Sequence, residues 1–311
     1  MIITVTPNPS IDKISELDQL QIGGLNRLQN ILLCGAGKGI NVSKMVHILG
    51  GNTLATGFLG KGNSHVITTA LDTMCVPYHF VPVEGNVRIN LKVLTADGSM
   101  TELNEPGNSI SVDSWDILRN KIMNLATPDS IVVFSGRLPP GTDPTVYRDL
   151  INALHMMGTS VFLDADGDTF ARSIEAFPDF IKPNRFELLQ YFGETDNNGS
   201  TEYLLELCCR LLDTGVQLVA LSLGKDGAIF ASKKCSYLIP GLPVKAHSTA
   251  GAGDCMVAAL VYGMQKGLSF EEYIALSVAC SAGAVTTKGT QPPDIGLVQT
   301  LLSQVRLVKL A

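Results

Sequence analysis

Apolar and polar positions in this chain switch repeatedly between a period near two and a period near 3.6. Ile2 to Thr6 is a short β-branched apolar run, the pattern of a strand buried on both faces. Pro7-Asn8-Pro9 then forces a turn, which places Asp12 and Lys13 at the strand's exit. Leu25 to Leu33 has a period near two and predicts a strand of a small separate sheet, with a helical pattern following through Ile48 to Gly50. Thr53 to Leu59 reads as strand and Ser64 to Met74 as helix. Val87 to Val93 alternates strictly, so Arg88, Asn90 and Lys92 share one strand face and Val87, Ile89, Leu91 and Val93 the other. Ala96-Asp97-Gly98 turns this strand into a return strand, Met100 to Leu103.

Beyond Asp113 the alternation of elements is regular. Helices are predicted over Trp115–Leu125, Pro144–Met157, Thr201–Leu212 and Phe270–Val285, with strands at Ser130–Phe134, Ser160–Leu163, Phe180–Ile181, Leu218–Leu221 and Ala228–Ala231. Asp164 to Gly167 is read as the close of its strand. This order predicts an α/β fold, a mostly parallel sheet covered by helices on both faces. Residues 10–34 and 86–105 are expected to form a discontinuous β lid on a single domain spanning 1–311.

Three stretches carry candidate chemistry. In Ser248-Thr249-Ala250-Gly251-Ala252-Gly253-Asp254, two glycines allow a sharp turn before the apolar run Cys255–Met264. The first amides of a helix lack internal partners and attract anions. Asp254 sits beside them, either as a base for phosphoryl transfer or as a plain helix cap. In Gly35-Ala36-Gly37-Lys38-Gly39-Ile40-Asn41, the glycines mark close backbone approach and Lys38 and Asn41 open a helix; neither the P-loop nor the dinucleotide spacing is present. In Lys182-Pro183-Asn184, Asn184 and Glu187 share a helical face, fit to hold magnesium-bound water or to cap the helix. Ser222, Gly224 and Gly227 follow a strand end, and Gly283 with Ala284 in a small-residue helix either leaves room for a flat purine or serves tight helix packing. The cations in line on the 87–93 strand suit a sugar phosphate or a solvated face.

Composition narrows the classes. The 311 residues, 45% hydrophobic, suffice for one large domain. A net charge of −6 argues against general nucleic-acid binding. Seven scattered cysteines match neither a zinc spacing nor a disulfide framework and predict free thiols. No apolar run approaches membrane-spanning length, and the start reads as a strand rather than a signal peptide, so a cytoplasmic protein without membrane contact is expected.

Taken together, these stretches resemble the PfkB/ribokinase family of sugar kinases over nearly the whole chain. The motifs are Gly37-Lys38-Gly39 with Asn41, Lys182-Pro183-Asn184 with Glu187, and, most specific, Thr249 to Asp254. The branch acting on phosphorylated ketohexoses is closest, through Thr6-Pro7-Asn8-Pro9-Ser10-Ile11-Asp12, Asn26-Arg27, Arg88-Ile89-Asn90, Asn104-Glu105-Pro106-Gly107 and Leu138-Pro139-Pro140-Gly141. The resemblance implies a ribokinase-like three-layer α/β/α domain whose lid often forms a homodimer interface. It implies ATP and Mg2+, with fructose 1-phosphate foremost as acceptor and tagatose 6-phosphate or fructose 6-phosphate as alternatives.

By the same resemblance, Asp254 is the general base, and the amides of Ala252, Gly253 and Asp254, in the turn begun by Gly251, hold the transferring phosphate. Asp12, Gly37, Lys38 and Asn41 bind the sugar. Arg27, Arg88, Asn90 and Lys92 are candidates for its phosphate, with Arg88 and Lys38 preferred. Lys182, Asn184, Ser222, Gly224, Gly227 and Gly283 serve the nucleotide, and Asn184 and Glu187 the outer shell of the metal. Arg137, Asp166 and Ala36 depart from the family pattern, standing where Ser, Ser and Gly are usual. Arg137 and Asp166 either compensate one another or alter which sugar fits. A non-catalytic sugar-phosphate sensor on this fold predicts loss of the base or the magnesium residues, and all are present. A dinucleotide-dependent oxidoreductase lacks its fingerprint.

Overall fold

The computed structural model describes residues 1–194 and 199–310. The amino-terminal part contains β1 (Ile2–Thr6), β2 (Ser10–Leu17), β3 (Gln29–Ala36), α1 (Lys38–Ile48), β4 (Thr53–Gly60), α2 (His65–Thr73), β5 (Val81–Val83), β6 (Arg88–Thr95) and β7 (Met100–Asn104). Next come α3 (Val112–Leu125), β8 (Ile131–Ser135), α4 (Val146–Met156), β9 (Ser160–Asp164), α5 (Gly167–Ile174), β10 (Phe180–Ile181), α6 (Arg185–Tyr191) and α7 (Thr201–Thr214). The chain finishes with β11 (Leu218–Ser222), β12 (Ala228–Ser232), β13 (Ser236–Ile239), α8 (Ala252–Lys266), α9 (Phe270–Ala284), α10 (Ile295–Leu302) and β14 (Val308–Lys309).

Ten strands make one sheet in the order β14-β13-β12-β11-β10-β9-β8-β1-β4-β5, parallel from β11 to β5 and antiparallel from β11 to β14. The period-two pattern of its strands feeds two cores. On β1, Ile3 and Val5 point into a core with α3 to α7, while Ile2 points into one with α1, α8, α9 and α10. This is the expected three-layer α/β/α arrangement. A third, smaller core joins Ile11 of β2 to Ile67 and Leu71 of α2, which seats the second sheet.

That second sheet, β3-β2-β6-β7, is the lid. Its β2–β6 pair is parallel and its other pairs are antiparallel. Asp12 therefore lies inside a strand, not in a loop beyond β1. The Pro7-Asn8-Pro9 turn is so short that the chain passes directly from the main sheet into the lid. Register places Ser10 beside Arg88 and Asp12 beside Asn90, so the polar residues of both strands share one face. The strand expected from Leu25 begins only at Gln29, because Asn26 closes a turn: its amide donates to Gln21 O at 2.8 Å.

Elements that the pattern does not predict are short: β2, β5, α5, β13, α10 and β14, none exceeding eight residues. A period of 3.6 barely repeats over that length. In particular, Gly167 opens α5 instead of closing β9.

Candidate active site

The site forms where the carboxyl ends of the central strands meet the lid, the usual place for ligands of open α/β sheets. A cleft of about 850 Å³ runs from Asp12, Arg88, Asn90 and Lys92 at the lid, past Lys38, Asp164 and Asp254, to Ser222–Lys225 and the apolar wall of Leu242, Val244, Val278, Ala282 and Val285.

At its middle lies the start of α8. Gly251 takes the left-handed conformation, φ 81°, which turns the chain into the helix. The first intrahelical bond, Cys255 N–H to Gly251 O at 2.9 Å, comes after the amides of Gly253 and Asp254. A side chain at Gly253 would stand 3.3 Å from Lys182 Nζ, so glycine lets the lysine lie across the helix start. The Asp254 carboxylate is buried and accepts a bond from Asn41 Nδ2 at 2.8 Å. Burial pushes this carboxyl up to about 6 and the charge of Asp164 adds to the push, against Lys38, the Asn41 bond and Lys182.

Asp164, at the carboxyl end of β9, is the main site residue that sequence reasoning missed. It is 1% exposed and its Oδ1 receives Lys38 Nζ at 3.2 Å and Lys182 Nζ at 3.3 Å. Burial opposes its ionisation, yet Lys182 and Lys38 together hold its carboxyl below the ordinary value. Burial likewise opposes the charge on Lys38, but Asp164, Asp254 and Glu187 keep it firmly protonated. Its position at a strand's carboxyl end was the available signal.

The lid end is also pre-paired. Asp12 accepts bonds from Ser10 Oγ at 3.2 Å and Asn90 Nδ2 at 3.1 Å, and its other oxygen takes Lys92 Nζ at 2.8 Å. Arg88 donates to Asn8 O at 3.3 Å, Asn90 Oδ1 at 3.0 Å and Glu105 O at 3.3 Å. Among the described residues, Arg88 has no carboxylate partner within ion-pair distance. It is the cation at this end with charge to spare.

At the far end, Asn184 and Glu187 form a reciprocal capping box on α6: Glu187 N–H donates to Asn184 Oδ1 at 2.9 Å and Asn184 N–H to Glu187 Oε2 at 2.8 Å. Among the described residues, Glu187 Oε1 and the Asn184 amide nitrogen have no other partner and are left for the cleft, which both residues line. Burial raises the Glu187 carboxyl pKa, with Lys182 opposing. No group of three or more His, Cys, Asp or Glu able to hold a metal directly occurs among the described residues.

A family model for pfkB family carbohydrate kinases matches residues 6–295. This chain belongs to that family. The chain is 33% identical over 309 residues to the 1-phosphofructokinase of Haemophilus influenzae, covering 98% of this chain and 97% of the relative. It is 32% identical over 310 residues to that of Bacillus subtilis, covering both completely. The crystal structure of phosphofructokinase-2 from Escherichia coli in complex with fructose-6-phosphate superposes with a TM-score of 0.90 at 25% identity, over 97% of this chain and 98% of that one.

In this pfkB kinase most residues singled out in the sequence converge on the cleft: Asp12, Gly37, Lys38, Asn41, Arg88, Asn90, Lys92, Lys182, Asn184, Glu187, Ser222, Gly224, Gly227 and Gly251 to Asp254 all line it. Two do not. Arg27 is exposed beside the lid turn, outside the cleft. Gly283 faces away, where an added Cβ would meet Pro293 Cβ at 2.9 Å, so its smallness serves the packing of α9 on the segment before α10. Helical periodicity explains this: Val278, Ser281, Ala282 and Val285 share the face toward the cleft, and position 283 falls on another. Lys92 and Lys38 line the cleft as expected, but each is already matched to a carboxylate.

Proposed function

We propose that this chain transfers the γ-phosphoryl group of ATP to a hydroxyl of a ketohexose monophosphate, foremost fructose 1-phosphate, giving fructose 1,6-bisphosphate. The observation that carries this reading is one cleft holding a buried carboxyl at the free amides of a helix start and, at its lid end, a guanidinium without a carboxylate partner. The choice of fructose 1-phosphate is supported by the full-length similarity to two 1-phosphofructokinases.

Asp254 accepts the proton of the acceptor hydroxyl as its oxygen bonds to phosphorus and the bond from phosphorus to the departing ADP oxygen breaks. Asn41 holds the carboxylate in place through its 2.8 Å bond. The free amides of Gly253 and Asp254 face the transferring group, whereas the Ala252 amide expected beside them is already turned to Thr249 O at 3.4 Å, and Lys182 and Lys38 stand where negative charge accumulates. Glu187 and Asn184 are suited to the water shell of Mg2+, which when bound neutralises phosphate charge. Ser222, Gly224 and Gly227 border the nucleotide, whose base fits the apolar wall. Residues 1–311 act as one kinase domain with a lid whose exposed Ile31, Leu32, Leu33 and Leu103 suit pairing with a second copy. No helix among the described residues is long and apolar enough to cross a membrane, and we place the protein in the cytoplasm, where ATP and phosphorylated sugars occur.

A second reading, fructose 6-phosphate as acceptor, is favoured by the likeness to the phosphofructokinase-2 complex. An ADP-release assay across fructose 1-phosphate, fructose 6-phosphate and tagatose 6-phosphate separates them. The highest kcat/KM is expected with fructose 1-phosphate, and equal turnover of unphosphorylated fructose would sink the phosphate requirement.

The Asp254 carboxyl at about 6 also sets a pH dependence. The base works only when ionised, so its contribution is present above that value and lost as pH falls through it. Below about pH 6, kcat/KM is expected to drop by about tenfold per pH unit, and a profile flat down to pH 5 would contradict the assignment.

A further inference from the structure

One surface ion pair at the rim of the sugar end falls outside the chemistry above. Arg137 lies on the loop after β8, and its Nε donates to Asp166 Oδ2 at 3.0 Å. The Arg137 side chain is 78% exposed, and neither residue lines the cleft. The loop itself runs between two cleft cations. An added Cβ at Gly136 would stand 3.8 Å from Lys38 Cβ. On the other side, Leu138 O accepts from Asn8 Nδ2 at 3.4 Å, and Asn8 O accepts from Arg88 Nε at 3.3 Å. Arg137 is thus held one residue from each of these links, and its charge adds to burial in weakening the hold of Arg88 on its proton. Both positions depart from the serines usual in the pattern that the chain resembles.

We propose that Arg137 is a second guanidinium for the phosphate already on the sugar, parked on Asp166 until the substrate arrives. This rests on the reading of the cleft as a ketohexose-phosphate site. Convergence of two positive groups is unfavourable without an anion between them and favourable with one. An exposed ion pair is weak in water, so Asp166 releases Arg137 readily. A phosphate offers that same guanidinium two oxygens at once, in the partly dehydrated mouth of the cleft. Asp166 acts through Arg137 and is a positioning residue, setting how much of the time the guanidinium is free. The chain would then favour acceptors whose phosphate reaches the gap between Arg88 and the β8 loop.

The test measures KM for fructose 1-phosphate, fructose 6-phosphate, tagatose 6-phosphate and ATP in the wild type and in Arg137→Ser, Arg137→Lys and Asp166→Asn. Arg137→Ser is expected to raise KM for the preferred sugar phosphate by about tenfold, the equivalent of one charge-assisted hydrogen bond, with the KM for ATP unmoved. Arg137→Lys recovers part of the loss. Asp166→Asn lowers the same KM, by about threefold, because it removes the competing counter-ion; impaired folding would not produce that opposite sign. An unchanged sugar-phosphate KM in Arg137→Ser, or an Asp166→Asn enzyme that weakens as Arg137→Ser does, overturns the role of Arg137 alone. A wild-type protein that uses none of the three ketohexose phosphates overturns the reading of the cleft, and this assignment with it.

Discussion

Asp254→Asn is expected to lower kcat by about 10²- to 10⁴-fold, the range lost when a general base is removed, with the KM values for sugar and ATP little changed. The amide has the shape of the carboxylate and can still accept the bond from Asn41, so the cleft keeps its form. What disappears is the capacity to take the hydroxyl proton. The acid limb of the pH profile should disappear as well. That second readout separates Asp254 from the substrate's own phosphate, whose second ionisation also lies near pH 6 and would persist in the variant. A variant within tenfold of wild-type kcat would show that the buried carboxyl is not the base; nor is it a helix cap, since among the described residues its side chain makes no capping bond to α8.

Arg88→Ala is expected to raise KM for the sugar phosphate by about 100-fold, the scale of one truncated partner in a desolvated charge pair, and to move the ATP KM by less than about threefold. The asymmetry follows from the charge inventory of the cleft. Lys92 is matched by Asp12, and Lys38 shares Asp164 with Lys182 in the middle of the cleft, so the positive charge left over there lies away from the lid end. Among the described residues, Arg88 donates only to neutral oxygens, two backbone carbonyls and the side chain of Asn90. Equal rises in both KM values would remove Arg88 from the sugar-phosphate end. A thermal melt of the variant checks that losing the side chain's bonds to Asn8 and Glu105 has not loosened the lid.

The lid shows where linear pattern succeeds and where it stops. Strict alternation from Val87 to Val93 correctly puts Arg88, Asn90 and Lys92 on one face, because side-chain direction in a strand is fixed residue by residue. It is silent on whether that face meets water or a ligand. The third core, which packs Ile11 against α2, turns the face into the cleft and leaves Lys92 only 5% exposed. Asn184 and Glu187 illustrate the converse. Their capping box is local, spanning three residues, and is legible as such. Its remaining polar atoms matter only because β11 runs beside it and carries Ser222 to the same cleft, through the bridge between Asn184 and Ser222.

From the sequence alone came the alternating α/β order, the two-part lid, the glycine turn ahead of Asp254 and most of the residues that line the cleft. Each is written in neighbours a few positions apart, where backbone sterics and side-chain periodicity act. The tertiary structure alone decided how the charges are shared. Asn41 reaches Asp254 across 213 positions and Lys38 reaches Asp164 across 126. Coulombic and desolvation effects depend on distance through space and on exclusion of water, neither of which separation along the chain encodes. Hence Asp164 went unseen, Lys92 was credited with a freedom it lacks, and Gly283 was assigned to a ligand it does not face.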